Sequence, residues 1–215
     1  MRIYNHDDPV NIDNLIIKYL SQSDPSLEKV IESVGNYSIK IRKDPFQSLI
    51  ESIIYQQLAG RAASVIYGRF IKYYNNSAPS PKQILSTPDS VLKSEIGLSS
   101  KKVQYIKDLS CKVLDKKLNL TSLSGLTDEE IITQLVQVKG IGRWTAEMFL
   151  IFCLGRLDIL PVTDLGIKKA IQKLYCLSEL PRPSEMLAIS QPWRPYRSIA
   201  TWYLWKSLSK FYSIG

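Results

Sequence analysis

The chain has 215 residues, 45% of them hydrophobic and 22% charged, which is enough apolar content for a packed core and too much for a disordered chain. Its 28 Lys and Arg residues against 20 Asp and Glu leave a net charge of +8, a balance that suits a polyanionic partner. One histidine, His6, and three widely spaced cysteines, Cys111, Cys153 and Cys176, exclude a disulfide framework, a zinc centre and histidine-based nucleophilic triads. Chemistry must then rest on carboxylates, aromatic rings and backbone amides.

The opening stretch MRIYNHDDPV lacks the apolar core of a signal peptide, and no run of about 18 apolar residues follows it. The expectation is an intracellular protein with no membrane span. Helix signals dominate from there. Asp24-Pro25 and Asp44-Pro45 each set a capping residue before a proline suited to the first helical position, and Gln47 gives Asp44 a capping-box spacing. Ser80-Pro81 and Thr87-Pro88 open two short helices, and Thr127-Asp128-Glu129-Glu130 reads as a second box. The stretch Asn75-Asn76-Ser77-Ala78-Pro79 is a loop. The pattern predicts helices over 10–20, 25–34, 45–57, 60–74, 81–86, 88–94, 99–117, 128–137, 143–154, 165–175, 184–190 and 195–211.

The richest stretch runs from Leu135 to Leu174. Ile131, Ile132, Leu135 and Val136 precede the turn Val138-Lys139-Gly140-Ile141-Gly142, and Trp144, Met148, Ile151 and Phe152 follow it at helical spacing. Two glycines let the chain turn sharply and leave amides at the start of the second helix that suit a phosphate oxygen. Ile141 reads as the plug that pins the turn to the core. Asp164 lies 22 residues past Gly142 and precedes a helix with the apolar face Ile167, Ala170, Ile171 and Leu174. Its plainest role is that of a helix cap.

Taken together, VKGIGRWTAEM followed by LPVTDLGIKKA resembles the helix-hairpin-helix, Gly/Pro-rich loop and aspartate signature of the DNA glycosylase superfamily (HhH-GPD). The wording is most similar to the 3-methyladenine DNA glycosylase II family. IIYQQLAGRAAS from Ile53 and WRPYRSIATWYLW from Trp193 agree, so the motifs span most of the chain after residue 44. The resemblance implies an all-α fold of two helical lobes with a helix-hairpin-helix motif and a DNA-binding cleft between them. A six-helix lobe would span 44–158, and 1–43 with 159–215 would form the second. Three cysteines cannot hold the four-cysteine iron–sulfur cluster that some relatives carry.

The resemblance also implies roles. Asp164 would face the target sugar, stabilise positive charge as the C1′–N bond breaks, and orient water. Trp144, Trp205 and Met148 would form the base pocket, with Met148 standing where some relatives carry tyrosine. Trp144 also stands where lyase-capable relatives place a nucleophilic lysine, so hydrolysis by water is expected rather than a Schiff base. Gln57 would be the wedge that fills the hole left by a flipped nucleotide, with Leu58 beside it. Gly140, Ile141, Gly142, Lys139 and Ser99 would meet the DNA backbone. The main-chain carbonyls of Val136, Val138 and Ile141 would hold a structural Na+ or K+; no organic cofactor or catalytic metal is expected.

The expected protein is thus a monomeric, monofunctional DNA N-glycosylase that excises alkylated purines of the 3-methyladenine type from double-stranded DNA by base flipping, in base excision repair. Its rivals are a glycosylase for ethenoadenine, hypoxanthine or an oxidised purine, and a non-catalytic damage-binding hairpin module. Other residues keep plainer readings. Trp202 and Trp193 suit core packing. The lysines at 101, 102, 107, 112, 116 and 117 suit a solvated face with partial DNA contact. Arg194 and Arg197 fit either support of the last helix or approach to the site.

Overall fold

Proline and short polar caps decide where most of the helices begin. The computed structural model describes residues 9–42 and 44–211, so residues 1–8, with His6, lie outside the described residues. Within them the chain is helical throughout: α1 (Pro9–Ser23), α2 (Pro25–Val34), α3 (Pro45–Tyr55), α4 (Gly60–Tyr73), α5 (Pro81–Ser86), α6 (Asp89–Ser94), α7 (Ser100–Leu114), α8 (Asp128–Leu135), α9 (Arg143–Phe152), α10 (Leu165–Leu174), α11 (Pro183–Ile189) and α12 (Arg197–Phe211). Two 3-10 turns, Leu123–Gly125 and Gln191–Trp193, have no counterpart in the predicted elements. No helix among the described residues is long and apolar enough to cross a membrane.

The caps behave as local chemistry requires. Asp24 Oδ1 accepts from the amides of Ser26 and Leu27 at 2.9 and 3.1 Å. Thr127 and Glu130 form the reciprocal box at the start of α8, as do Ser80 and Gln83 at α5. The box expected at Asp44 is only half made. Asp44 accepts the Gln47 amide at 3.0 Å, but the Gln47 side chain donates instead to the Tyr67 hydroxyl at 2.7 Å. Thr87 does not open α6. Its hydroxyl donates back to the Gln83 carbonyl at 2.8 Å and meets Tyr74 Oη at 2.9 Å, so it closes α5. α7 stops short of residue 117 because Lys116 takes a left-handed conformation at φ 57°.

The chain divides into two units, Ile41–Gly155 and Met1–Lys40 with Arg156–Gly215. In the first, α3 packs on α4, α7 and α9, while α5 and α6 lie on α7 and α8 pairs with α9. Leu49, Ile50, Ile53 and Ile54 make one face of α3 fully buried. Among the described residues 44–158 hold seven α-helices, not the six expected. The ranges predicted over the same span also number seven, with the two short helices already separate; in the structure α5 and α6 are divided at the extended Thr87 and Pro88, and only the six-helix count that the resemblance implied differs.

In the second unit α10 packs on α12, α12 on α2, and α1 on α2. The core gathers Leu20, Leu27, Ile167, Ile171, Trp193, Tyr203 and Leu204. Trp193 is fully buried, and its indole donates to Asp24 Oδ2 at 2.7 Å, where the Tyr175 hydroxyl also donates. Asp24 therefore serves four donors while only 7% exposed. Burial, reinforced by that carboxylate, pushes the Tyr175 phenol far above its ordinary value. Trp202 packs at the edge of this core, edge-on to Tyr203 at 5.2 Å. Arg197 clamps Asp158 through Oδ1 at 2.6 Å and Oδ2 at 3.0 Å, which assigns it to holding the start of α12.

Candidate functional site

The hairpin turn between α8 and α9 is shaped by its main chain. Gly140 sits at φ +81°, and a Cβ there would come within 2.1 Å of Tyr105 Cδ2, so both conformation and space favour glycine. Ile141 is buried and its amide returns to the Val138 carbonyl at 3.0 Å, closing the turn. Gly142, the N-cap residue of α9, brings no side chain to cap the first turn. The turn therefore offers helix-start amides toward an anion, with the α9 dipole behind them.

Three side chains hold this turn, and none stood out in the sequence. Asp108 on α7 accepts the Lys139 amide at 2.8 Å and pairs with Lys112 at 2.6 Å. Burial alone would raise its carboxyl, but Lys112 and the Lys139 amide outweigh that and hold it below the usual carboxylate range. Gln56, just past α3, donates through Nε2 to the Gly140 carbonyl at 2.8 Å. Arg143 bridges to Glu129 across the hairpin and to Glu147 at 3.1 Å on its own helix. Most of these contacts join positions far apart in sequence, so only the 108–112 and 143–147 spacings were readable in advance.

The α3–α4 junction lies beside the turn. Gln57 is held at φ 55°, a left-handed conformation that costs a non-glycine residue about 1 kcal/mol. Leu58 next to it is 38% exposed. Lys102 on α7 reaches the Ile54 carbonyl at 2.7 Å, a cation on the C-terminal end of α3, and partial burial lowers its pKa. The lysine face of α7 is thus less solvated than expected. Lys107 pairs with Asp89, Lys112 with Asp108 and Lys117 with Asp115, while Lys101 and Lys116 stay exposed.

A groove of about 470 Å³ is lined by Gln56, Gln57, Ser99, Lys101, Lys102, Tyr105, Gly140, Trp144 and Thr145. It brings together four of the expected residues, Gln57, Ser99, Gly140 and Trp144, with two lysines. Ser99 also caps α7 through the Lys102 amide at 3.3 Å. A second pocket of about 330 Å³ shares Gln57 and Trp144 and adds Met148, Tyr55 and Phe152. Trp144 is 45% exposed and lines both of these pockets. Lys139 is exposed on the turn itself. The carbonyls of Val136, Val138 and Ile141 are neutral oxygens, a donor type that suits a monovalent cation.

Asp164 and Trp205 belong to the other unit and meet there. Asp164 caps α10, its Oδ1 accepting the Ile167 amide at 2.8 Å. The same oxygen accepts Trp205 Nε1 from α12 at 3.2 Å. Gly166 leaves room beside this pair: an added Cβ would lie 3.0 Å from Asp164 Oδ1, a tight approach, and 3.5 Å from the indole. The carboxylate is half-buried, and its plane is set by two donors from two helices. Among the described residues no cluster of three or more His, Cys, Asp and Glu could hold a metal ion.

The family model described as "HhH-GPD superfamily base excision DNA repair protein" matches residues 50–195. DNA-3-methyladenine glycosylase 1 of Schizosaccharomyces pombe is 34% identical over 195 residues, covering 88% of this chain and 85% of that protein. Among solved structures, the S. pombe 3-methyladenine DNA glycosylase Mag1 in complex with abasic DNA superposes with a TM-score of 0.80 at 34% identity, covering 89% of this chain and 95% of that one. The DNA-3-methyladenine glycosidase of Bacillus halodurans gives a TM-score of 0.82 at 35% identity, covering 99% and 95%. A helix-hairpin-helix turn, an aspartate-capped α10 and similarity at this coverage lead to one conclusion: the chain belongs to the HhH-GPD superfamily of base excision DNA repair proteins.

Proposed function

We propose that this chain is a monofunctional DNA N-glycosylase that releases alkylated purines, of the 3-methyladenine type, from duplex DNA. The observation that carries the reading is the Asp164 carboxylate, oriented by the Ile167 amide and the Trp205 indole on one oxygen. Its relatives' names, DNA-3-methyladenine glycosylase among them, support the substrate class. Duplex DNA as substrate implies work inside the cell.

The hairpin amides and exposed Lys139 grip a phosphate, and Ser99 meets the backbone beside them. Carbonyls of Val136, Val138 and Ile141 would hold Na+ or K+, which supplies positive charge toward that phosphate. Gln57, held in its strained conformation beside Leu58, fills the stack as the damaged nucleotide turns out. Trp144 and Met148, which line one pocket, receive the base, and Trp205 holds the Asp164 carboxylate. Alkylation at N3 or N7 makes that base both a cation that aromatic faces attract and a better leaving group. As the C1′–N bond breaks, the sugar becomes cationic, and Asp164 stabilises that charge and orients the water that attacks C1′. Trp144 in place of a lysine supports hydrolysis by water without a covalent enzyme–DNA intermediate.

A panel of duplexes, each with a single lesion, scored for abasic sites tests this directly. Release from alkylated purines with no borohydride-trapped adduct is the expected result. Binding of lesion duplex with no base released would favour the non-catalytic module, and release confined to hypoxanthine or oxidised purines would move the substrate class.

A further inference from the structure

The pocket beside Gln57 holds a carboxylate that the mechanism above does not use. Tyr55, Trp144, Met148 and Phe152 give it an aromatic and apolar wall, and Glu51 on α3 stands in that wall. At about 330 Å³ it lies at the small end of ligand pockets. Apart from Arg42, its other polar lining groups, Ser52, Gln56, Gln57 and Thr145, are neutral. The Glu51 side chain is 20% exposed and touches Arg42 Nη2 at 3.2 Å through one oxygen. Its second oxygen has no hydrogen-bond partner among the described residues.

We propose that Glu51 is a specificity-determining residue, whose carboxylate in this aromatic pocket favours a base carrying positive charge over a neutral one. The proposal rests on the glycosylase reading and narrows its substrate class to cationic purines. A carboxylate shielded from water interacts more strongly with a nearby cation than one in bulk solvent. Arg42 is no strong competitor, because its side chain is 45% exposed and a single contact of that kind is weak. A neutral base gains nothing from the charge and must leave the carboxylate desolvated. Aromatic walls select for shape and polarisability; Glu51 adds the sign of the charge.

The test measures binding in an Asp164→Asn background, where turnover does not interfere. Duplexes with 7-methylguanine, a fixed cation, and with hypoxanthine, a neutral purine, are titrated by fluorescence anisotropy. Glu51→Gln is expected to shrink the preference for the cationic lesion roughly tenfold, the size of a lost charge-assisted contact. Glu51→Asp, which keeps the charge, is expected to retain most of the preference. An equal effect of Glu51→Gln on both duplexes, no effect on either, or identical behaviour of the Gln and Asp variants would overturn the proposal. Base release by the wild-type chain is read separately: its absence would remove the glycosylase reading, whereas loss of the binding preference alone concerns Glu51.

Discussion

Asp164 and the hairpin turn are built in opposite ways. At the start of α10 the functional group is a side chain, and a neighbouring amide, an indole and the space left by Gly166 do no more than aim it. At the α8–α9 turn the functional groups are main-chain amides, and several side chains, Asp108, Gln56 and Tyr105, exist to shape the backbone. Chemistry can thus be removed from the first with little change in fold, whereas the second cannot be altered without changing the fold locally. In the proposed division of labour, the carboxylate performs the reaction and the turn holds the DNA.

The largest expected effect separates the two. Asp164→Asn keeps the cap, since asparagine also accepts the Ile167 amide, and lowers base release about a thousandfold in single-turnover assays. Gly140→Ala acts on the turn: a methyl group at positive φ against the Tyr105 ring costs about 3 kcal/mol in chemical unfolding and weakens DNA binding. Trp205→Phe removes the indole donor from Asp164 Oδ1 but keeps an aromatic face; release falls about tenfold with affinity for abasic duplex kept.

The smallest effect depends on pH. The folded-state carboxyl of Asp108 lies below its ordinary value, so its contribution is present above about pH 4 and is lost as pH falls through the lower folded value. Asp108→Asn should therefore cost about 1 kcal/mol at neutral pH and converge on the wild type in acid, as followed by denaturation at several pH values. A difference that persists at the acid end would assign the contact to packing instead.

What could be read from sequence follows the range of the interactions. Asp24, Asp44, Ser99, Thr127 and Asp164 cap their helices through amides two or three residues away, and such spacings are visible in the chain. Where a distant group competes, the local rule misleads, as when Tyr67 captures the Gln47 side chain that was expected to complete a box. The turn itself was legible from its glycines and Asp164 from its motif. Their supports were not, because Gln56 reaches Gly140 across 84 positions and Trp205 reaches Asp164 across 41. Nor did any spacing mark Glu51, whose interest comes from the rings that α3 and α9 gather around it.

One paired measurement tests the division of labour most directly: single-turnover base release from a 7-methylguanine duplex, alongside affinity for abasic duplex, for Asp164→Asn and Gly140→Ala. The account predicts opposite patterns. Asp164→Asn loses release about a thousandfold with affinity within about twofold of wild type, and Gly140→Ala loses affinity while keeping most of its rate at saturating protein. Base release by Asp164→Asn at the wild-type rate would contradict it.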